Sequence, residues 1–234
     1  MCVELLDERT VVSCTVSLKL GDSRDVVQAW RDIKKYRNGG AQKPEGEQPR
    51  YRLENGALVV DYPRGGSADS PIFFNLKGHG VGNIEDHNLT ICAGSFWDQN
   101  QLCPVSGTPM DFRTEMPIGE RIRMGYAPLT AKKGYDHCFL LRQERDVGEA
   151  VYEGLPLAAV LLDRKRTLQM NVYTSYPALW LDTANVTSGR DIGKGGCIYP
   201  KRGGVALMPC DRPDEKREGG GTVVYQFIPR EIVL

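Results

Sequence analysis

The sequence predicts an all-β protein with the architecture of an antiparallel β-sandwich. Most of its periodic segments are short, rich in β-branched or aromatic residues, and bounded by Gly or Pro. Only one segment, within residues 22–50, carries the apolar spacing of a helix. Many short strands without alternating helices are typical of a sandwich or barrel and disfavour a parallel α/β fold.

The strands are predicted from two kinds of pattern. Residues 11–20 alternate apolar and polar side chains with a period of two, which predicts a strand. Residues 51–62 contain Asn55-Gly56 between two alternating runs, and this dipeptide is typical of a two-residue hairpin turn. Further strands are predicted at NLTICAGSF, HCFLLRQ, LPLAAVLLD, TLQMNVYTS, ALWLDTAN, GGVALMP and TVVYQFIP.

The predicted helix lies near the N-terminus, in SRDVVQAWRDIKKYRN. Val26, Trp30 and Ile33 lie roughly on one face of it. The polar, Gly- and Pro-containing loop GGAQKPEGEQP follows. Residues 22–50 therefore form a helix-plus-loop unit among the predicted strands.

Charge and cysteine content exclude several classes of partner and cofactor. Lys+Arg and Asp+Glu both number 30, so no net charge favours nucleic acid or an anionic membrane as partner. The seven cysteines include no C-x-x-C pair, which predicts free thiols in a reducing intracellular compartment and neither a metal site nor a cofactor. Cytoplasm and organelle interior are not distinguished. No signal peptide and no transmembrane segment is predicted.

Eight motifs between Tyr51 and Pro229 occur in a characteristic order: YRLENGALVVDY, FFNLKGHG, IEDHNLTI, VSGTPMDF, GYDHCFLL, TSYPALWLDTAN, GKGGCIYPKRGG and TVVYQF. With them the chain resembles the aldose 1-epimerase (galactose mutarotase) family. The resemblance implies a galactose mutarotase-like antiparallel β-sandwich (a supersandwich) over residues 1–234 as one domain, with residues 22–50 as an insertion. It also implies a sugar site in the concave face of one sheet.

The same resemblance implies a chemistry and places its residues. In the family, a carboxylate takes the proton of the anomeric hydroxyl while an imidazole protonates the ring oxygen. Here Pro71 stands at the position of the acid and Met208 at that of the base, and neither side chain can transfer a proton. Trp180 replaces a sugar-holding glutamine, whereas Asp136, at a sugar-contacting aspartate position, is retained. No catalytic residue is therefore predicted, and the sandwich is predicted to be incomplete because the family's N-terminal third is absent.

Other titratable residues are weighed as replacements for the missing pair. The three histidines, His79, His87 and His137, are expected to have structural roles, with His137 on the opposite face of its strand from Asp136. Asp211 and Asp214 could bring a carboxylate near Met208, but they more closely fit a solvated acidic turn.

The sequence thus favours a catalytically inactive, aldose 1-epimerase-like structural subunit of a larger assembly. A protein partner or a second copy is expected to cover the incomplete sandwich. Two alternatives stay open: an active aldose 1-epimerase with a rebuilt site, and a carbohydrate-binding module that holds a hexose with Asp136 and Trp180. Trp180 either stacks on a sugar or fills the former pocket.

Overall fold

The computed structural model describes residues 2–4, 15–17, 50–62, 72–78, 80–142, 151–187, 189–192, 198–215 and 218–230. Strands β1 (Cys2–Glu4) and β2 (Thr15–Ser17) form a small antiparallel pair. The helix and loop predicted over 22–50 lie outside the described residues, except Arg50, which begins the next strand.

A tight hairpin follows, as the sequence predicts. Strands β3 (Arg50–Glu54) and β4 (Ala57–Tyr62) pair antiparallel around Asn55 and Gly56. Both turn residues have positive φ, 48° and 78°, the combination that a type I′ turn requires. Asn and Gly tolerate this left-handed conformation, so the local chemistry of two residues sets the register of the whole hairpin.

The remaining elements are β5 (Phe73–Phe74), β6 (Asn88–Ile91), β7 (Ala93–Asp98), β8 (Gln101–Pro104), β9 (Met116–Pro117), α1 (Ile118–Ile122), α2 (Ala127–Lys132), β10 (Asp136–Leu141), β11 (Val151–Tyr152), β12 (Leu155–Leu162), β13 (Leu168–Thr174), β14 (Ala178–Asp182), β15 (Asp191–Ile192), β16 (Ile198–Tyr199), β17 (Val205–Cys210) and β18 (Gly221–Pro229). The predicted strand NLTICAGSF is divided at Cys92 into β6 and β7, which belong to different sheets.

Two large antiparallel sheets contain most of these strands. One has six strands in the order β5-β17-β14-β10-β7-β8. The other has eight strands in the order β3-β4-β18-β13-β12-β6-β9, with β11 paired to β12. Strands β15 and β16 form a separate pair. The predicted all-β antiparallel architecture is confirmed.

The main core lies between the two sheets. Phe96, Phe139 and Leu207 of the six-stranded sheet belong to one buried cluster with Met170 and Tyr225 of the eight-stranded sheet. Full burial of each such side chain contributes about 1.5–3 kcal/mol, so this shared layer holds the sheets face to face. The period-two alternation of the sequence is what supplies one apolar face to each sheet.

Two short helices, α1 and α2, were not predicted. They have 5 and 6 residues, too few to establish a helical period in the sequence. Pro128 lies in the first turn of α2, and Lys133 ends the helix in the left-handed conformation with φ 59°. Among the described residues, no helix is long and apolar enough to cross a membrane.

Strand β17 shows how this fold creates a second buried surface. All six of its residues are buried. Val205 and Leu207 join the main core, whereas Ala206, Met208 and Cys210 join smaller clusters on the other side of the sheet. We call this second side of the six-stranded sheet the outer face. Asp136, Trp180 and Met208 project toward it.

Candidate functional site

A row of four side chains crosses the outer face. The register pairs Trp97 of β7 with Cys138 of β10, Cys138 with Trp180 of β14, and Trp180 with Met208 of β17. Directly paired residues in a sheet project to the same side with their Cβ atoms about 5 Å apart. Four strands that are distant in sequence therefore place two indoles, a thiol and a thioether side by side.

Asp136 and Trp180 contact each other directly. The Trp180 indole Nε1–H donates a hydrogen bond of 2.8 Å to Asp136 Oδ1. Lys132 Nζ lies 3.8 Å from Asp136 Oδ2. The Asp136 side chain is about one-fifth exposed, at 20%. The two residues predicted to bind sugar thus bind one another, and the indole satisfies one carboxylate oxygen.

Met208 occupies an apolar position on the same face. It is 1% exposed and clusters with Phe73, Tyr199 and Ala206, with Trp180 packed against the group. A thioether is at most a weak acceptor and carries no transferable proton. The position that the resemblance gives to a general base therefore holds a buried apolar contact. Pro71, at the position of the acid, lies outside the described residues.

His87 is fully buried and is bonded to the backbone. Its Nε2 accepts a hydrogen bond of 3.0 Å from the Leu76 backbone N–H, and its Nδ1 lies 3.3 Å from Asp86 Oδ1. Burial lowers the pKa of His87, and this effect exceeds the opposing effect of Asp86. His87 therefore joins two loop segments as a neutral imidazole.

His137 lies on the core side of β10, the side opposite that of the Asp136 carboxylate. It is 3% exposed and contacts the Phe96 ring edge-on, with centroids 6.0 Å apart. Its Nδ1 accepts a hydrogen bond of 3.0 Å from the Asp136 backbone N–H, and burial lowers its pKa. Protonation at Nδ1 would break that hydrogen bond, so His137 is held neutral. His87 is held neutral in the same way, because its Nε2 accepts a backbone N–H. His79 lies outside the described residues.

The acidic turn after β17 contains an internal ion pair. Arg212 Nη2 lies 2.8 Å from Asp214 Oδ2, and this guanidinium lowers the pKa of the Asp214 carboxyl. Asp211 lies beside Cys210, and its charge contributes to raising the pKa of that thiol. Asp214 thus sits in the ion-paired, solvated turn that its sequence context indicates.

Sequence reasoning did not find Trp97, Cys138 and Cys210. Alternation along HCFLLRQ places Cys138 on the same face as Asp136, but nothing in the sequence shows which strands lie beside β10. Only the register brings Trp97 and Cys210 to this surface. Their association is a property of the sheet order.

Comparisons with solved structures identify the class of fold. An aldose epimerase homologue from C. elegans aligns with a TM-score of 0.56 at 15% identity, covering 78% of this chain and 59% of the other. A galactose 1-epimerase from Lactobacillus acidophilus aligns with a TM-score of 0.54 at 18% identity, covering 79% of this chain and 67% of the other. The fold is that of the galactose mutarotase-like sandwiches.

Sequence comparisons identify the family within that class. The sequence model of the aldose 1-epimerase family matches residues 72–224. Galactose mutarotase of Mus musculus is 28% identical over 177 residues, which are 70% of this chain and 48% of the mouse protein. Aldose 1-epimerase of Escherichia coli is 30% identical over 183 residues, which are 72% of this chain and 50% of the Escherichia coli protein. This chain belongs to the aldose 1-epimerase family, and it spans about half the length of these relatives.

Proposed function

We propose that this protein is a catalytically inactive member of the aldose 1-epimerase family that serves as a structural subunit of a larger assembly. One observation carries the proposal: the Trp180 indole is hydrogen-bonded to Asp136 and packed against buried Met208. A sugar bound in the family's manner would need the space and the carboxylate oxygen that this indole takes.

The loss of chemistry follows from the residue types. Ring opening of an aldose needs a positioned acid and a positioned base, and each typically contributes 10²–10⁴-fold to the rate. Met208 and Pro71 stand at the two positions that the family resemblance assigns to these groups. The two described histidines are buried, and each accepts a backbone N–H. They do not replace the missing acid.

The structural role is supported by an edge of the six-stranded sheet. Strand β8 lies at this edge and contains Gln101, Leu102, Cys103 and Pro104, with no charged residue. Leu102 is 52% exposed. Edge strands of monomeric proteins are usually protected by charges, by Pro, by a very short strand or by a covering element. The four-residue length and Pro104 already limit backbone pairing at β8, so it is the exposed Leu102 side chain that favours a protein partner or a second copy.

Carbohydrate binding without turnover is the second candidate function. Trp97 and Trp180 are both half-buried on the outer face, and aromatic rings with one apolar face and one polar edge suit a sugar surface. In this function Trp180 would release Asp136, which would then accept from a hexose hydroxyl.

A mutarotation assay tests the absence of catalysis. Freshly dissolved α-D-glucose and α-D-galactose are followed by polarimetry with and without the protein, and we expect the spontaneous rate in both cases. Acceleration that Asp136→Asn removes and Asp214→Asn leaves intact would overturn the proposal and establish an active enzyme. Asp214 is the matched control because its carboxylate is paired with Arg212.

Binding and assembly are tested separately. Titration calorimetry with a panel of hexoses is expected to show no binding by the native chain. Sub-millimolar affinity that Trp180→Phe weakens would instead favour the binding module. Sedimentation of the native protein from its source, followed by identification of what accompanies it, tests the subunit role. A monomer with no partner would contradict that role.

A further inference from the structure

A further buried surface lies on the side of the eight-stranded sheet that faces away from the main core. Leu58 and Val60 of β4 join the main core. Ala57 and Val59, which alternate with them along the strand, join a separate buried cluster. Antiparallel sheets commonly leave one face in contact with water, whereas β4 is buried on both faces.

The separate cluster extends across three adjacent strands. The register pairs Val59 of β4 with Val224 of β18, and Val224 with Tyr173 of β13. Directly paired residues project to the same side of a sheet. We call the surface formed by Ala57, Val59, Val224 and Tyr173 the far-side patch.

The described strands flank this patch and do not lie over it. Every described member of its cluster belongs to the eight-stranded sheet, including β11, which pairs with β12. Tyr152 and Leu157 pack at the Tyr173 end. Neighbours within a sheet lie beside a side chain, so exposures of only 2% at Val59 and 1% at Val224 require an element that lies across these strands.

The covered area ends at β3. Arg52, which pairs with Val59, is exposed and forms ion pairs with Glu54 and Asp61. The buried part therefore extends from β4 over β18 to β13, which is two strand spacings or about 9.5 Å. An α-helix with its side chains is about 10–12 Å in diameter, so one amphipathic helix is wide enough to cover the patch.

The sequence predicts such a helix shortly before β3. In SRDVVQAWRDIKKYRN, residues 23–38, the side chains of Val26, Trp30 and Ile33 are expected on one face. A helix of this length is marginal in water on its own and needs an apolar surface against which to pack. Residues 39–49 connect it to Arg50, which begins β3, and consecutive elements usually lie side by side in space.

We propose that residues 23–38 form a helix whose Val26, Trp30 and Ile33 face packs on the far-side patch. The stretches that precede β5 and β11, PRGGSADSP and QERDVGEA, carry too few apolar side chains for this role. The patch is then covered by the chain itself, and the β8 edge is left for a partner. The inference concerns a different surface from the outer face and does not rest on the absence of catalysis.

A double-variant analysis of the full chain tests the contact. Trp30→Ala is combined with Val59→Ala on the patch. The matched control combines it with Leu58→Ala, because Leu58 projects from the same strand into the main core. We expect Trp30→Ala to lower the urea midpoint less in the Val59→Ala protein than in the native chain, since the effects of residues in contact do not add. In the Leu58→Ala protein its effect should be unchanged, and Leu58→Val replaces this control if Leu58→Ala does not fold.

Hydrogen exchange measured by mass spectrometry is the second test. Val59→Lys places a charge in the patch and should increase exchange in residues 23–38 several-fold. Thr90→Lys is the matched control, because Thr90 alternates with Leu89 and Ile91 of the main core and lies on β6, away from the patch. It should leave exchange in residues 23–38 unchanged. Exchange in β13 and β18 shows whether the sheet stays folded in both variants.

Three results would overturn the proposal. They are additive effects of Trp30→Ala and Val59→Ala, equal exchange of residues 23–38 in Val59→Lys and Thr90→Lys, and protection of these residues that appears only as the protein concentration rises. The last result would assign the patch to a second copy of the chain. None of these measurements involves sugar turnover or accompanying proteins, so their failure is distinguishable from failure of the proposed function.

Discussion

Replacing Met208 by glutamate would return the family's base to a position that is 1% exposed. The surroundings are Phe73, Tyr199, Ala206 and Trp180, which offer the new carboxylate an apolar pocket. A carboxyl group buried in this way stays protonated, because burial disfavours its charged form. We therefore expect Met208→Glu to fold with a raised pKa and a reduced free energy of unfolding.

The size of the effect follows from the cost of holding this group neutral. With an unfolded-state pKa of about 4.3, keeping the folded group protonated costs about 3.7 kcal/mol at pH 7 and about 1.1 kcal/mol at pH 5. The folded state binds more protons than the unfolded state, so the destabilisation grows as pH rises above about 4.3. The predicted change in the mutant's penalty between pH 5 and pH 7 is thus about 2.6 kcal/mol.

Urea denaturation at pH 5 and pH 7 measures this penalty against two matched variants. Met208→Gln introduces a polar group of similar size that does not titrate, and Met208→Leu preserves an apolar side chain at a cost below about 1.5 kcal/mol. Subtracting the free energy of unfolding of Met208→Gln from that of Met208→Glu removes the contribution of burying a polar group. Suppose that at pH 7 the free energy of unfolding of Met208→Glu is less than about 1 kcal/mol below that of Met208→Gln. The carboxylate would then be ionised at that pH, and the reasoning about an apolar pocket would be refuted.

Two further predictions concern stability. Burial lowers the folded-state pKa of His87 and His137, so as pH falls these histidines become protonated in the unfolded chain before they do in the folded protein. The free energy of unfolding should therefore decrease below about pH 6.5, by up to about 1.4 kcal/mol per pH unit for each histidine. A urea midpoint that does not change from pH 7 to pH 5 would contradict this. Gly134→Ala should destabilise by at least about 2 kcal/mol, because Gly134 has φ 146° and an added Cβ would lie 2.0 Å from Asn185 Oδ1. Gly125→Ala, where nothing lies within 4 Å, is the thermal-melting control, and equal melting temperatures would refute the clash.

Local sequence patterns predicted those parts of the fold that depend on neighbouring residues. The β3–β4 hairpin follows from Asn55-Gly56, whose backbone conformations few other residue pairs adopt easily. The strands β10, β12, β13, β14, β17 and β18 follow from short apolar or alternating runs. Helices α1 and α2 could not be predicted, because one or two turns are too short to produce a periodic pattern of apolar residues.

The candidate site was predictable only in part. Family resemblance pointed to Asp136, Trp180 and Met208, and the structure places all three on the outer face. The resemblance could not show that the Trp180 indole donates a hydrogen bond to Asp136, because that contact depends on the rotamer of one side chain and the register of two strands. Pro71 remains a sequence-based prediction.

The sequence by itself determined the class of fold, the hairpin turn and the residue types at the family's two catalytic positions. These depend on composition and short-range order, which the chain carries before it folds. The tertiary structure decided which side chains share a surface: Trp97 beside Cys138, Cys138 near Cys210, and Trp180 against Asp136. The physical reason is that a sheet brings together strands by hydrogen-bond register and core packing, and residues distant along the chain become neighbours only when that register is set.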